Sequence, residues 1–110
     1  MNAVLLKSSL ALEQLAEELW NVFERSPNMR PEGRELRESI DKGGLYYRFR
    51  LLGTSVDLLH NADDAEIADA PDYEYYLFVD DGDPHVRDSG TTRIRDLLHE
   101  NGLDVAIGPY

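Results

Sequence analysis

The sequence predicts an α+β fold in two layers: a mainly antiparallel β-sheet of about four strands, with two principal helices packed on one face. Three observations support this. Apolar residues recur with a helical period between Leu12 and Phe23. They alternate with a period of two over Leu45–Leu51 and again over Tyr73–Val79. Turn and stop signals at Leu52-Gly53-Thr54-Ser55, Asp80-Asp81-Gly82-Asp83-Pro84 and Asn101-Gly102 separate these segments. A chain of 110 residues, 42% hydrophobic and 30% charged, suits one folded domain spanning 1–110.

Taken in order, Ala3-Val4-Leu5-Leu6 is a short apolar run, either an edge strand or the lead-in to a helix. From Ser9 the pattern is helical: Leu12, Leu15, Ala16, Leu19, Val22 and Phe23 form one stripe, and Glu13, Glu17, Glu18 and Glu24 take the wet side. Ser8 or Ser9 is the expected cap, and Arg25-Ser26-Pro27 the stop. Residues 27–44 are ambiguous, because the Leu36–Ile40 spacing suits both a helical turn and two strand alternations. A short helix or an irregular segment is expected there.

Leu45, Tyr47, Phe49 and Leu51 alternate with Tyr46, Arg48 and Arg50 in the first clear strand, and Val56–Leu59 returns as the second arm of a hairpin. Residues 60–71 read as a polar connection, and Tyr73–Val79 as a third strand. A loop over 80–90 precedes a helix over 91–101, with Ser89 or Thr91 as its cap and Ile94, Leu97 and Leu98 inward. Leu103, Val105 and Ile107 make a last strand, expected to lie parallel to 73–79 with the helix as a crossover. The alternation assigns Leu45, Tyr47, Phe49, Leu51, Val56, Leu58, Tyr73, Tyr75, Leu77, Val79, Leu103, Val105 and Ile107 to the inner face. It assigns Tyr46, Arg48, Arg50, Asp57, Leu59, Glu74, Tyr76 and Phe78 to the outer one.

The net charge of −11 is unevenly spread. Residues 1–56 carry eight acids and eight bases, whereas residues 57–110 carry fourteen acids and three arginines. Asp63, Asp64, Glu66, Asp69, Asp72, Glu74, Asp80, Asp81 and Asp83 follow one another without an intervening Lys or Arg. Direct binding of nucleic acid or an anionic membrane through that half is disfavoured, because phosphate contacts need cations. A basic protein partner is favoured.

No apolar run approaches the roughly 20 residues needed to cross a bilayer. The N-terminal stretch lacks a basic lead and is interrupted by Lys7 and Glu13, unlike a signal peptide, so a cytoplasmic location is expected. The absence of cysteine excludes disulfides and thiolate chemistry.

The acidic loop fails the EF-hand pattern. With Gly82 at position 6, positions 1 and 3 fall on Leu77 and Val79, which offer no side-chain oxygen. His60, His85 and His99 show no zinc spacing. No serine sits in a nucleophile elbow, and Gly43-Gly44 does not open a phosphate loop. No metal, cofactor or catalytic group is therefore expected.

The acidic stretches flank a seven-residue strand that spans roughly 23 Å at about 3.3 Å per residue, which describes a band and not a chelating pocket. The expected function is a small acidic protein-binding module. In its concrete form it is an inhibitor or immunity-type protein blocking a basic nuclease or nucleic-acid-binding partner. Its contact residues would be the nine acids above with Tyr46, Arg48, Tyr76 and Phe78, since aromatics and arginine supply contact energy. The alternative is a non-catalytic regulatory domain binding a small molecule or cation. Pairing of two copies through a sheet edge is left open, as monomer or homodimer.

Overall fold

The computed structural model describes residues 2–42, 44–51, 53–61 and 73–109. Its elements are β1 (Asn2–Lys7), α1 (Leu12–Arg25), β2 (Pro31–Ser39), β3 (Gly44–Leu51), β4 (Thr54–His60), β5 (Tyr75–Asp80), α2 (Pro84–Glu100) and β6 (Asp104–Pro109). Among the described residues the strands form one six-stranded sheet in the order β2-β3-β4-β5-β1-β6, with every neighbouring pair antiparallel. The α+β class agrees with the sequence. The expected count of about four strands does not, because β1 and β2 are both strands.

Strand β1 is interior. Ala3, Val4, Leu5 and Leu6 are all buried, since β1 lies between β5 and β6 and is covered on both faces. Strand β2 is the opposite case, an outermost strand with mostly exposed residues, so it carries almost no apolar alternation. Strands β5 and β6 run in the same direction, as the sequence suggests, but they are not neighbours. Strand β1 lies between them, and α2 carries the chain across it as a split β–α–β unit.

Both helices pack on one face. Leu15, Ala16, Leu19, Val22 and Phe23 of α1 and Ile94 and Leu98 of α2 meet Val4, Leu6, Phe49, Leu51, Val56, Leu58, Tyr75, Leu77 and Val79. Phe23 and Phe49 touch edge to face at 5.8 Å, a favoured aromatic geometry. The expected caps are corrected at both helices. Ser8 Oγ accepts from Leu10 N–H and turns the chain ahead of α1, where Gln14 Oε1 accepts from Ala11 N–H. Helix α2 starts at Pro84, seven residues before the expected Thr91, with Asp83 Oδ1 accepting from His85 N–H. Aspartate followed by proline serves a helix start as well as a turn.

Tyr75 is buried against the core, and its hydroxyl donates to the Leu10 carbonyl at 2.6 Å. Burial, with the nearby Glu74 carboxylate adding to it, raises the pKa of this phenol above its ordinary value. A raised value means the folded state favours the neutral hydroxyl. Its contribution is therefore complete below about pH 10 and is lost as pH rises through the raised value. Tyr75→Phe is expected to cost about 1 kcal/mol at neutral pH. It should also flatten the loss of stability above about pH 10, and urea midpoints with the same pH slope in both proteins would contradict this assignment.

Candidate functional site

The other sheet face bears no helix among the described elements. It holds a second cluster, with Ala3, Leu5, Tyr46, Leu59 and Tyr76 buried and Tyr73 and Phe78 packed against them. Leu5 and Leu59 are the direct cross-strand neighbours of Tyr76 on either side. Gly108 lets Leu5 lie flat across β6, since a Cβ there would stand 2.6 Å from Leu5 Cδ1. The alternation assigned Tyr46, Leu59, Tyr76 and Phe78 to this face, and the packing agrees. Tyr73, assigned to the inner face, packs here instead because it precedes β5, and Leu45, also assigned inward, is 48% exposed near the end of the sheet. Tyr46 and Tyr76, however, are buried side chains that present little surface.

Beside this cluster lies a buried charge. The connection of residues 52 and 53, with Gly53 at φ 76°, joins β3 to β4 so that Arg48 stands opposite Asp57. Asp57 has 0% exposure. Its carboxylate accepts from Arg48 Nε at 2.7 Å and from an Arg48 terminal nitrogen at 3.0 Å, and Lys42 Nζ lies 3.2 Å from Oδ2. Arg48 also reaches Asp80 Oδ2 at 3.3 Å. The hydrogen bond to Asp57 is the main cause that holds the Arg48 pKa above its ordinary value, against the opposing effect of burial. Arg48 is thus committed within the fold and stays charged throughout the accessible pH range.

Towards the sheet edge, Gly33, Glu35, Arg37, Arg48, Arg50 and Ser55 line an open groove of about 300 Å³. Neither β2 nor this groove was singled out by the sequence, because the segment 27–44 lacked a clear period. The Arg48–Asp57 pair carried a signal. With β3 ending at Leu51 and β4 beginning at Thr54, the pairing of Leu51 with Thr54 places these two residues opposite each other.

The acidic loop resolves into local roles. Asp80 pairs with Arg48, Asp81 Oδ1 accepts from Asp83 N–H at 2.9 Å, and Asp83 caps α2. Glu74, at the other end of β5, accepts from Ser8 N–H at 3.0 Å. Asp63, Asp64, Glu66, Asp69 and Asp72 lie outside the described residues. Among the described residues no group of three or more His, Asp or Glu converges as metal ligands.

The strand order turns the sequence asymmetry into a spatial one. Residues 30–51 supply β2 and β3 at one end of the sheet and hold six of the eleven cations with four acids. The rest of the chain holds five cations and eighteen acids. On the outer side of α1, Glu13, Glu17 and Glu18 line a shallow depression of about 760 Å³ with Leu10, Gln14 and Asn21. Glu17 pairs with Arg34, whereas Glu13 and Glu18 make no ion pair with a described residue.

Fold and site together define a two-layer α+β domain with a buried charge network, one cation-rich sheet end and a large acidic remainder. Comparison with known proteins adds no relative, since no family model, curated protein or solved structure matches the chain. No described helix is long and apolar enough to cross a membrane.

Proposed function

We propose that this protein is a non-catalytic binding module that engages a basic protein through acids carried by the chain outside β2 and β3. The carrying observation is the segregation of charge. The cations gather at one end of the sheet, and five cations face eighteen acids over the remainder. A surface of one sign speeds encounter with a partner of the other sign and rejects nucleic acid and anionic membranes. In the narrower form of the proposal, the partner surface is one that otherwise holds nucleic acid. The module then inhibits by occupying it, carboxylates standing where phosphates would lie.

Asp80, Asp81 and Asp83 have internal partners, so they contribute to the field more than to direct contact. Glu13 and Glu18 on α1, with Asp63 and Asp64, are the acids chosen for testing. Affinity capture from host lysate at about 50 mM and about 500 mM salt should retain a basic protein at the lower value and weaken it at the higher, where the screening length is a few ångströms. Changing Glu13→Gln, Glu18→Gln, Asp63→Asn and Asp64→Asn together should weaken that capture about tenfold and flatten its salt dependence. The purified partner should also release bound nucleic acid when the parent protein is added. A partner held equally tightly by the quadruple variant would refute the electrostatic reading.

A further inference from the structure

Among the described residues strand β2 pairs with β3 on one side only, so along its nine residues the other side is a sheet edge. Edge strands are normally guarded by charges that repel an incoming strand. The stretch Arg34-Glu35-Leu36-Arg37-Glu38 carries four charges, but their order guards against most strands and not against itself. Read backwards about Leu36, every charge meets its opposite. We propose that two copies of this chain associate by antiparallel pairing of β2 with β2, on a two-fold axis through Leu36, to form a continuous twelve-stranded sheet.

In this register Glu35 stands opposite Arg37 of the second copy, and Arg37 opposite its Glu35. Arg34 and Glu38 pair in the same reciprocal way, and Leu36 meets Leu36 on the axis. Directly opposed side chains in an antiparallel pair have Cβ atoms about 4.5–5.5 Å apart, close enough for ion pairs. Arg34 is held near this position by Glu17 at 2.6 Å and by the Trp20 ring at 5.1 Å. Other registers are penalised. With the axis at Glu35, that residue faces itself and Glu32 faces Glu38; with the axis at Arg37, arginine faces arginine.

Two further observations point to the same surface. Leu36 is 54% exposed and lies on the axis on the helix side of the sheet, where pairing covers it. Each copy also carries a net −11, and contact along β2 and β3 joins the part of the chain where cations outnumber acids. This inference rests on the charges of β2 and not on the acids of the proposed binding face, so either can fail without the other.

Sedimentation equilibrium tests it. The parent should show a concentration-dependent dimer up to about 200 µM, and Glu35→Arg or Arg37→Glu alone should raise the dissociation constant about tenfold or more by opposing like charges. An equimolar mixture of the two variants should recover dimerisation. The two glutamates of one variant then face the two arginines of the other, which no effect within a single chain reproduces. Circular dichroism verifies that both variants fold, and Leu36→Asp provides a second disruption at the axis. A parent that stays monomeric, variants that dimerise like the parent, or a mixture that fails to recover would each overturn the proposal.

Discussion

Asp57→Ala is expected to destabilise the fold by about 3 kcal/mol, read as a fall of about 10–15 °C in Tm. The carboxylate has 0% exposure and accepts two hydrogen bonds from Arg48, with Lys42 at 3.2 Å. Removing it leaves a guanidinium and an ammonium facing each other with only the half-exposed Asp80, 3.3 Å from Arg48, as a counter-charge. Their side chains are 20% and 26% exposed, so water reaches them in part, which places the loss at the lower end of the range for a broken buried pair. Replacing the whole group, with Asp57→Leu, Arg48→Met and Lys42→Met together, should recover most of the loss, because an apolar set of similar volume avoids desolvating any ion. An Asp57→Ala variant within about 0.5 kcal/mol of the parent in urea titration would show that the network is not structural.

The same residues show how far a sequence reaches. The faces of β3 were legible because Tyr47, Phe49 and Leu51 alternate with Arg48 and Arg50. Strand β5, by contrast, is an aromatic and aliphatic run buried on both faces, so its period of two told the faces apart but not that both were covered. Helix α1 was legible from its stripe, all of which from Leu15 to Phe23 is buried. Strand β1 was not, since a six-residue strand buried on both faces shows a run and no period. Strand β2 was not for the opposite reason: as an edge its side chains are mostly wet, and its charges follow their cross-strand partners, as in Glu35 opposite Arg48. The early start of α2 was hidden because its buried residues begin only at Thr91, leaving its first two turns without an apolar stripe.

The candidate site was legible in charge but not in role. Counting acids located the asymmetry, yet Asp80, Asp81 and Asp83 read as one cluster although they do three different things. Charge type is written in the sequence, whereas the partner of each charge depends on register and strand order. Asp57 is the clearest case. It looks like any other acid until Arg48 is set opposite and Lys42 is brought over from the 3₁₀ turn at Ile40–Lys42.

Tyr76→Ala is expected to cost about 3–5 kcal/mol, whereas Leu36→Ala should stay within about 0.5 kcal/mol when measured near 1 µM protein, too dilute for the proposed dimer to contribute. Alternation alone sets Tyr76 on the outer sheet face, with the surface of a binding residue. The structure gives it 0% exposure, because β1 joins the sheet beside β5 and brings Leu5 against one side of the ring while Leu59 holds the other. Leu36 has the larger hydropathy but sits on the outermost strand, where 54% of it remains exposed. Urea titration of the two variants therefore tests strand order more than residue type. A Tyr76→Ala loss under about 1 kcal/mol would mean that this face is a surface and not a second core, and would return Tyr76 to the residues available for direct partner contact.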